Sequence, residues 1–320
     1  MKVFRSIAIL LSILLLASCL LPYAIRVSET VEVPIATPYR DSRFMEVEGV
    51  SFHYRVTFPK NSKPLGYILL VHGLGGSTFT FDGMVPSLVE AGYVVVAVDL
   101  PAFGYSDRTL DFDHGQANRA KYLWELLDNL EGFAKNEAWH LVGHSMGGGT
   151  VAAMAVAQPG RTASLTLIAG ALENNGGLLM SLLHFPPYAR WTQIFIERSL
   201  LKEERIVKIL HEAYGRSPSS LEVKAYLDPL LIPGTARALT GFAKSSKAVP
   251  LSLLDELDMP VLAIWGDRDT VVPLEASRVI GVHLPQMRLH VIEGAAHIPM
   301  ETHTAECSSI LLEFLADLSK

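Results

Sequence analysis

Ser145 stands in Gly143-His144-Ser145-Met146-Gly147, a G-x-S-x-G pentapeptide that follows one apolar run and opens an Ala-rich stretch. A sharp strand-to-helix turn there lifts a serine hydroxyl clear of a sheet, and the glycines let the backbone bend without clash. The helix behind it directs its positive end at any oxyanion formed beside the serine. A serine hydroxyl needs an adjacent base to become a nucleophile, and the base needs a group to orient it. Trp265-Gly266-Asp267-Arg268-Asp269 and Gly294-Ala295-Ala296-His297 each follow a later apolar run and offer both. In that arrangement Ser145 attacks a carbonyl, and His297 takes its proton and returns it to the leaving group. Asp269 fixes the imidazole tautomer and stabilises its positive form. Val71-His72-Gly73-Leu74-Gly75-Gly76 supplies a loop that can turn a backbone N–H toward the same carbonyl. The expected oxyanion donors are the N–H groups of Leu74 and Met146, each commonly worth about 3–4 kcal/mol in the transition state.

Other residues compete for these roles. Asp267 lies two positions before Asp269, and Glu173 follows another apolar run. His72 is expected to brace its loop and His144 to wall the pocket, with His283, His290 and His303 at the surface or in packing. No His, Cys or Asp cluster has metal-ligand spacing, so no metal is expected. The glycines at 73 to 76 lack the spacing of a phosphate or dinucleotide loop, so no cofactor is expected either.

The elements that must position these residues are legible as an alternation. Strand-length apolar runs fall at Tyr67 to Val71, Val94 to Val98, Trp139 to Val142, Leu165 to Ala169, Val261 to Trp265 and Leu289 to Ile292. Helix-length segments separate them: Phe79 to Ala91, Asp113 to Phe133, Ser145 to Ala157, Pro273 to Val282 and Thr304 to Leu318. Continuous apolar strands between helices imply an α/β fold, with a mostly parallel sheet covered on both faces. Phe44 to Phe58 alternates as a hairpin with Gly49 near its turn. The rhythm breaks between about Ala171 and Pro250, where only helical patterns occur: Tyr188 to Leu201, Glu203 to Tyr214, Ser219 to Leu230 and Ala236 to Ala243. The expected organisation is a core of residues 43–170 and 251–320 with a helical lid, 171–250, over the carboxyl ends of the strands, where ligands of open α/β sheets bind.

The N-terminus is a separate object. Lys2 and Arg5 precede an almost wholly apolar Ser6 to Ser18, the layout of a secretory signal. Leu16-Ala17-Ser18-Cys19 resembles a bacterial lipobox, in which cleavage precedes the cysteine and Cys19 takes the lipid. An uncleaved membrane anchor and an ordinary cleaved signal are the alternatives. Residues 1–18 are thus a signal or anchor, and 19–42, with Pro22, Pro34 and Pro38, a tether. Each reading places the catalytic domain outside the cytoplasm or at a membrane surface, as an exported protein facing the periplasm or cell surface. Cys307 is the one other cysteine and reads as a partly buried thiol. A net charge of −6 without a basic run argues against nucleic acid as a partner.

Taken together, His72-Gly73, Asp99-Leu100-Pro101-Ala102-Phe103-Gly104-Tyr105-Ser106, Gly143 to Gly147, Gly266 to Asp269 and Gly294 to Pro299 resemble the α/β-hydrolase superfamily. The resemblance covers roughly Glu46 to Leu318 and points to the lid-bearing group of esterases, lipases and carbon–carbon bond hydrolases. It favours Asp269 over Asp267 as the acid. One departure is Ala102, where the family often has glycine. A serine nucleophile disfavours the related epoxide hydrolases and haloalkane dehalogenases, which use aspartate there. Carbon–carbon hydrolases often carry Trp after the histidine, whereas Ile298 stands here. The implied activity is therefore hydrolysis of carboxylic esters with apolar acyl groups, small-molecule or lipid, through an acyl-enzyme on Ser145. A carbon–carbon hydrolase, an acyltransferase or perhydrolase, and a non-catalytic tethered binding protein are the alternatives. Leu178, Leu179, Leu182, Leu183, Phe185, Trp191, Ile194, Phe195 and Ile196 are expected to line an acyl pocket, face lipid, or pack the lid onto the core.

Overall fold

The computed structural model describes residues 2–28, 37–60, 63–109, 111–173 and 178–318. Its eight strands are β1 (Ser42–Val47), β2 (Val50–Thr57), β3 (Gly66–Val71), β4 (Tyr93–Val98), β5 (Trp139–His144), β6 (Thr162–Ile168), β7 (Val261–Gly266) and β8 (Arg288–Ile292). They form one sheet in the order β1-β2-β4-β3-β5-β6-β7-β8. β1 and β2 are antiparallel to their neighbours, and every pairing from β4 to β8 is parallel. This is the α/β-hydrolase fold. The β1–β2 turn is Glu48-Gly49, both at positive φ, the two-residue turn whose twist matches the strands it joins.

The helices are α1 (Lys2–Ala24), α2 (Val85–Glu90), α3 (Gln116–Asp128), α4 (Met146–Ala157), α5 (Leu178–Ser181), α6 (Pro186–Phe195), α7 (Glu203–Tyr214), α8 (Ser220–Leu230), α9 (Thr235–Ser245), α10 (Glu275–His283), α11 (Pro299–Thr302) and α12 (Thr304–Asp317). Alternate strand residues feed two cores. Leu69, Val71, Val94 and Val96 pack with Leu123 of α3, Val151 of α4 and Ile280 of α10. Ile68, Leu70, Val95 and Ala97 pack on the opposite face with Leu88 of α2 and Leu311 of α12. Burial on both faces is why these strands read as unbroken apolar runs. β8 departs from that expectation: at the sheet edge Leu289 and Val291 stay exposed, and only Ile292 is buried.

Two expected helices are shorter than their patterns. The segment from Phe79 splits into a 3₁₀ turn, Thr78–Phe81, and α2. Between them lies Gly83, packed on Thr304, and Pro86 stands in the first turn of the new helix. The segment from Asp113 begins only at Gln116, because Asp113 Oδ1 accepts the Gly115 N–H in a local turn. The segment 171–250 carries no strand among its described residues. It holds α5 to α9, with a π-helical stretch, Ile196–Leu200, where one helix was expected to run on.

The boundary at the N-terminus also differs. α1 passes through Cys19 to Ala24, and the tether expected over 19–42 starts no earlier than Ile25. Pro22 inside the helix lacks an N–H and leaves the Ser18 carbonyl without its helical donor. The Trp191 indole of α6 donates to that carbonyl at 2.9 Å. Arg190 donates to the carbonyls of Pro22 and Ile25 at 3.3 and 2.8 Å, serving the orphan groups of the helix end. Residues 37 to 42 pack on the sheet: the Tyr39 ring stacks on His53, and Thr37 Oγ1 bonds Ser42 Oγ at 2.6 Å. Pro34 lies outside the described residues.

Close backbone approach fixes the turn that carries Ser145. A Cβ on Gly147 would come 2.2 Å from the Val71 carbonyl oxygen, and one on Gly143 would come 2.4 Å from that of Gly147. Neither obstacle is a flexible side chain. Gly143→Ala and Gly147→Ala should each destabilise the protein by at least about 2 kcal/mol, the upper range of overpacking. Gly160→Ala, where a Cβ meets nothing within 4 Å, should change stability by less than about 0.5 kcal/mol. Chemical unfolding of the three variants checks this ranking.

Candidate active site

Ser145 lies between the end of β5 and the start of α4, at φ 49° and ψ −119°. Positive φ in a non-glycine residue is a strained state that only surrounding structure can hold. The holding bonds are visible: the Ser145 N–H donates to Ile168 O at 3.0 Å, and its carbonyl accepts from Gly148 and Ala171 at 2.8 and 2.9 Å. The side chain reaches a cavity of about 1260 Å³ bounded by Gly73, Leu74, Phe103, Ser145, His297 and the lid helices.

His297 borders the same cavity, and its Nδ1–H donates to Asp269 Oδ2 at 2.8 Å. The other carboxylate oxygen of Asp269 accepts the N–H groups of Val271 and Val272, both at 2.9 Å. Asp269 is thus locked by the turn after β7, with its side chain buried. Asp267 is committed elsewhere: its Oδ1 accepts the Gly294 N–H at 2.7 Å and closes the loop after β8. Glu173 is exposed and does not line the cavity. The loops of acid and base touch because Gly266 has no side chain. A Cβ there would meet the Ala295 carbonyl at 2.2 Å.

The N–H groups of Leu74 and Met146 have no hydrogen-bond partner among the described residues. Leu74 borders the cavity, and Met146 begins α4, where helical N–H groups are free by construction. His72 braces this region. Its Nε2 accepts the Leu100 N–H at 2.9 Å and its Nδ1–H donates to Gly73 O at 2.6 Å, which fixes the neutral tautomer. Burial lowers its pKa, and the Arg119 and Arg108 cations act in the same direction. His144 does more than wall the pocket. Its Nε2–H donates to the His297 carbonyl at 2.9 Å, and the two rings lie 4.8 Å apart. Burial first, and the neighbouring His297 second, hold its pKa well below the ordinary value.

Asp99 anchors the remaining wall. Its carboxylate accepts from His53 Nδ1–H and the N–H groups of Thr78 and Tyr105 at 2.7, 2.6 and 2.7 Å. The bend it holds carries Phe103 into the cavity. Ala102 on that bend has φ 75°, which is the conformation that favours glycine at this place.

The lid contributes differently from expectation. Of the nine apolar residues singled out, Ile196 lines the cavity, while Leu183 and Ile194 are buried in packing. Leu182, Phe185 and Phe195 are exposed, Trp191 meets α1, and the side chains of Leu178 and Leu179 lie outside the described residues. Most of the apolar wall comes from residues the sequence did not single out: Ile206, Ile209 and Leu210 of α7, Tyr226 and Leu230 of α8, and Leu239 and Phe242 of α9. The signal for α7 was present, since Ile206, Ile209, Leu210 and Ala213 recur at helical spacing.

The chain is similar to known hydrolases. The chain is 26% identical over 286 residues to a 2-hydroxy-6-oxononadienedioate/2-hydroxy-6-oxononatrienedioate hydrolase of Cupriavidus pinatubonensis, covering 86% of this chain and 96% of that one. It is 27% identical over 282 residues to the uncharacterized hydrolase YugF of Bacillus subtilis, covering 87% and 97%. A solved bacterial membrane phospholipase A, described as a virulence factor, superposes with a TM-score of 0.70 at 21% identity over 100% of both chains. The family model described as "alpha/beta hydrolase fold" matches residues 66–304, and the chain belongs to that family of hydrolases.

Proposed function

We propose that the protein is a membrane-anchored serine hydrolase that cleaves carboxylic esters of apolar acyl groups. The observation that carries this reading is that His297, paired with Asp269 at 2.8 Å, borders one cavity with the strained Ser145, close to the unpartnered N–H groups of Leu74 and Met146. Ser145 Oγ adds to the ester carbonyl carbon as its proton passes to His297 Nε2, and the carbonyl oxygen becomes an oxyanion facing the N–H groups of Leu74 and Met146. The tetrahedral adduct collapses, the C–O bond breaks, and the alcohol leaves with the proton from His297. A water molecule then gives a proton to His297 and its oxygen to the acyl carbon, and the acid departs as Ser145 recovers its proton. The apolar wall from Ile206 to Phe242 suits an acyl chain and explains the preference for apolar esters.

A carbon–carbon hydrolase is the second reading, favoured by the relative from Cupriavidus pinatubonensis. Against it stands Ile298 in the position after the histidine. Turnover of p-nitrophenyl esters, with no turnover of a 6-oxodienoate followed by its absorbance, is the expected result. The reverse pattern overturns the ester reading. With the active ester, Ser145→Ala should abolish fluorophosphonate labelling and lower kcat by at least about 10⁴-fold. Asp269→Asn should lower kcat by about 10⁴-fold, because the wrong imidazole tautomer is then held. Asp267→Asn should leave kcat within about tenfold of the parent, since its partner is a loop amide.

We further propose that α1 is retained as the anchor. Phe4–Ala24 is long and apolar enough to cross a membrane, with mean hydropathy 2.4. The lid also grips the helix on both sides of Cys19, at Ser18 and at Pro22. The superposed membrane phospholipase A, matched over its full chain, is a membrane protein. Mass spectrometry of the mature protein should find residues 2–18 still attached. A chain that begins at a diacylglycerol-modified Cys19 overturns retention and restores the lipobox reading.

A further inference from the structure

Four residues past His297 the structure holds an acid for which the ester chemistry has no use. Glu301 lies in α11, and both its oxygens are taken: Oε2 accepts the Tyr214 O–H at 2.6 Å and Oε1 the Tyr226 O–H at 2.5 Å. Tyr214 ends α7 and Tyr226 lies in α8, so one carboxyl group fastens two lid helices to the core segment that follows His297. A backbone bond reinforces the seam, the Ile298 N–H donating to Ala213 O at 3.2 Å. Tyr226 also borders the cavity, and its hydroxyl meets Thr80 Oγ1 at 3.4 Å. Lifting α7 and α8 from the core therefore parts the carboxyl from its tyrosines and widens the cavity along the same line.

We propose that Glu301 is a positioning residue: holding its proton, it clamps α7 and α8 against the His297 segment, and on losing the proton it releases them. A neutral carboxyl accepts both hydroxyls without burying a charge, whereas a carboxylate at this seam must give up part of its hydration. Glu301 is half-buried at this seam. Burial pushes it up to about 7, the two tyrosine bonds oppose that rise, and the carboxylates of Glu222 on α8 and of Asp82 add to it. Those two acids are themselves paired, Glu222 with Arg216 and Asp82 with Arg55. Tyr214 and Tyr226 are raised by burial first and Glu301 second, so they remain O–H donors. His303, on the same segment, is engaged with Thr302 Oγ1 at 2.9 Å.

The direction of the effect follows from linkage. A lifted lid wets the carboxyl and returns it toward its ordinary 4.5, whereas the closed lid holds it near 7. Between those values the closed form binds the extra proton, so rising pH favours lifting, by at most about 300-fold. The inference rests on the cavity being the substrate site and on nothing about which bond is cleaved.

Hydrogen exchange of α7 and α8 peptides, corrected for intrinsic rates, reads this directly on the full-length protein in detergent micelles. Protection factors should fall between about pH 4.5 and pH 7 and level off above that, while α4 peptides stay unchanged. Glu301→Gln, permanently neutral, should keep the low-pH protection at every pH. PH dependence that persists in Glu301→Gln, or flat protection in the parent, overturns the proposal. Tyr214→Phe, which keeps Glu301, should lower protection at low pH about fivefold. Unchanged protection in that variant also overturns it. A protein that hydrolyses no ester but shows this exchange pattern separates the latch from the proposed reaction.

Discussion

The approach of Gly147 to the Val71 carbonyl sets the rest of the site. With only a hydrogen between them, α4 starts directly over the carboxyl end of β3, and the chain must reverse within one residue to get there. Ser145 absorbs that reversal at positive φ, and the bonds to Ile168, Gly148 and Ala171 hold it. The same reversal leaves the first N–H of α4 free beside the loop that carries Leu74. A second crossing of the same kind, Gly266 against the Ala295 carbonyl, brings the loops of β7 and β8 together. Two glycines thus do for the backbone what no side-chain hydrogen bond can: they set distances that side chains then have only to fill.

These constraints explain what could be read from the letters. Gly143, Gly147 and Gly266 have tight, residue-specific jobs, so their spacing survives as a motif, and Ser145, Asp269 and His297 are found by their distance from them. Asp267 and Asp269 illustrate the limit. Both follow the same strand, and only the turn geometry sends one carboxylate to Gly294 and the other to His297. The role of His144 was not legible either, because its partner is a backbone carbonyl 153 residues away. The lid was visible as a break in rhythm, but not its facing: an apolar stripe tells which side of a helix avoids water, not whether core, cavity or another helix covers it. Thus Ile206 to Ala213 line the cavity, while Trp191 turned out to serve α1.

The junction of α1 with the lid shows a break in one helix being mended by another. Pro22 deprives the Ser18 carbonyl of a donor, and a bare carbonyl beside an apolar helix is costly. Trp191 and Arg190, one residue apart on α6, satisfy that carbonyl and those at the helix end. Because α6 leads into the π-helical stretch that brings Ile196 to the cavity wall, the membrane-length helix and the cavity share a continuous piece of chain. A helix held in this way has its orientation to α6 fixed by these hydrogen bonds, as a flexible tether would not.

Three histidines, His72, His144 and His297, lie at or beside the cavity, and they differ in what holds them. His72 is kept neutral by burial with both nitrogens engaged in backbone bonds, and His144 by burial beside His297. A neutral His144 still donates to the His297 carbonyl, so it holds the segment in place without adding a positive charge beside the His297 ring. Asp269, by contrast, keeps its carboxylate against His297 Nδ1. The electrostatic difference between these histidines therefore lies in their partners: two are tied to backbone groups, which bind the neutral ring, and one to a carboxylate, which stabilises the charged ring. A buried carboxylate also holds His53, through Asp99, but of these two histidines His297 is the one that borders the cavity reached by Ser145.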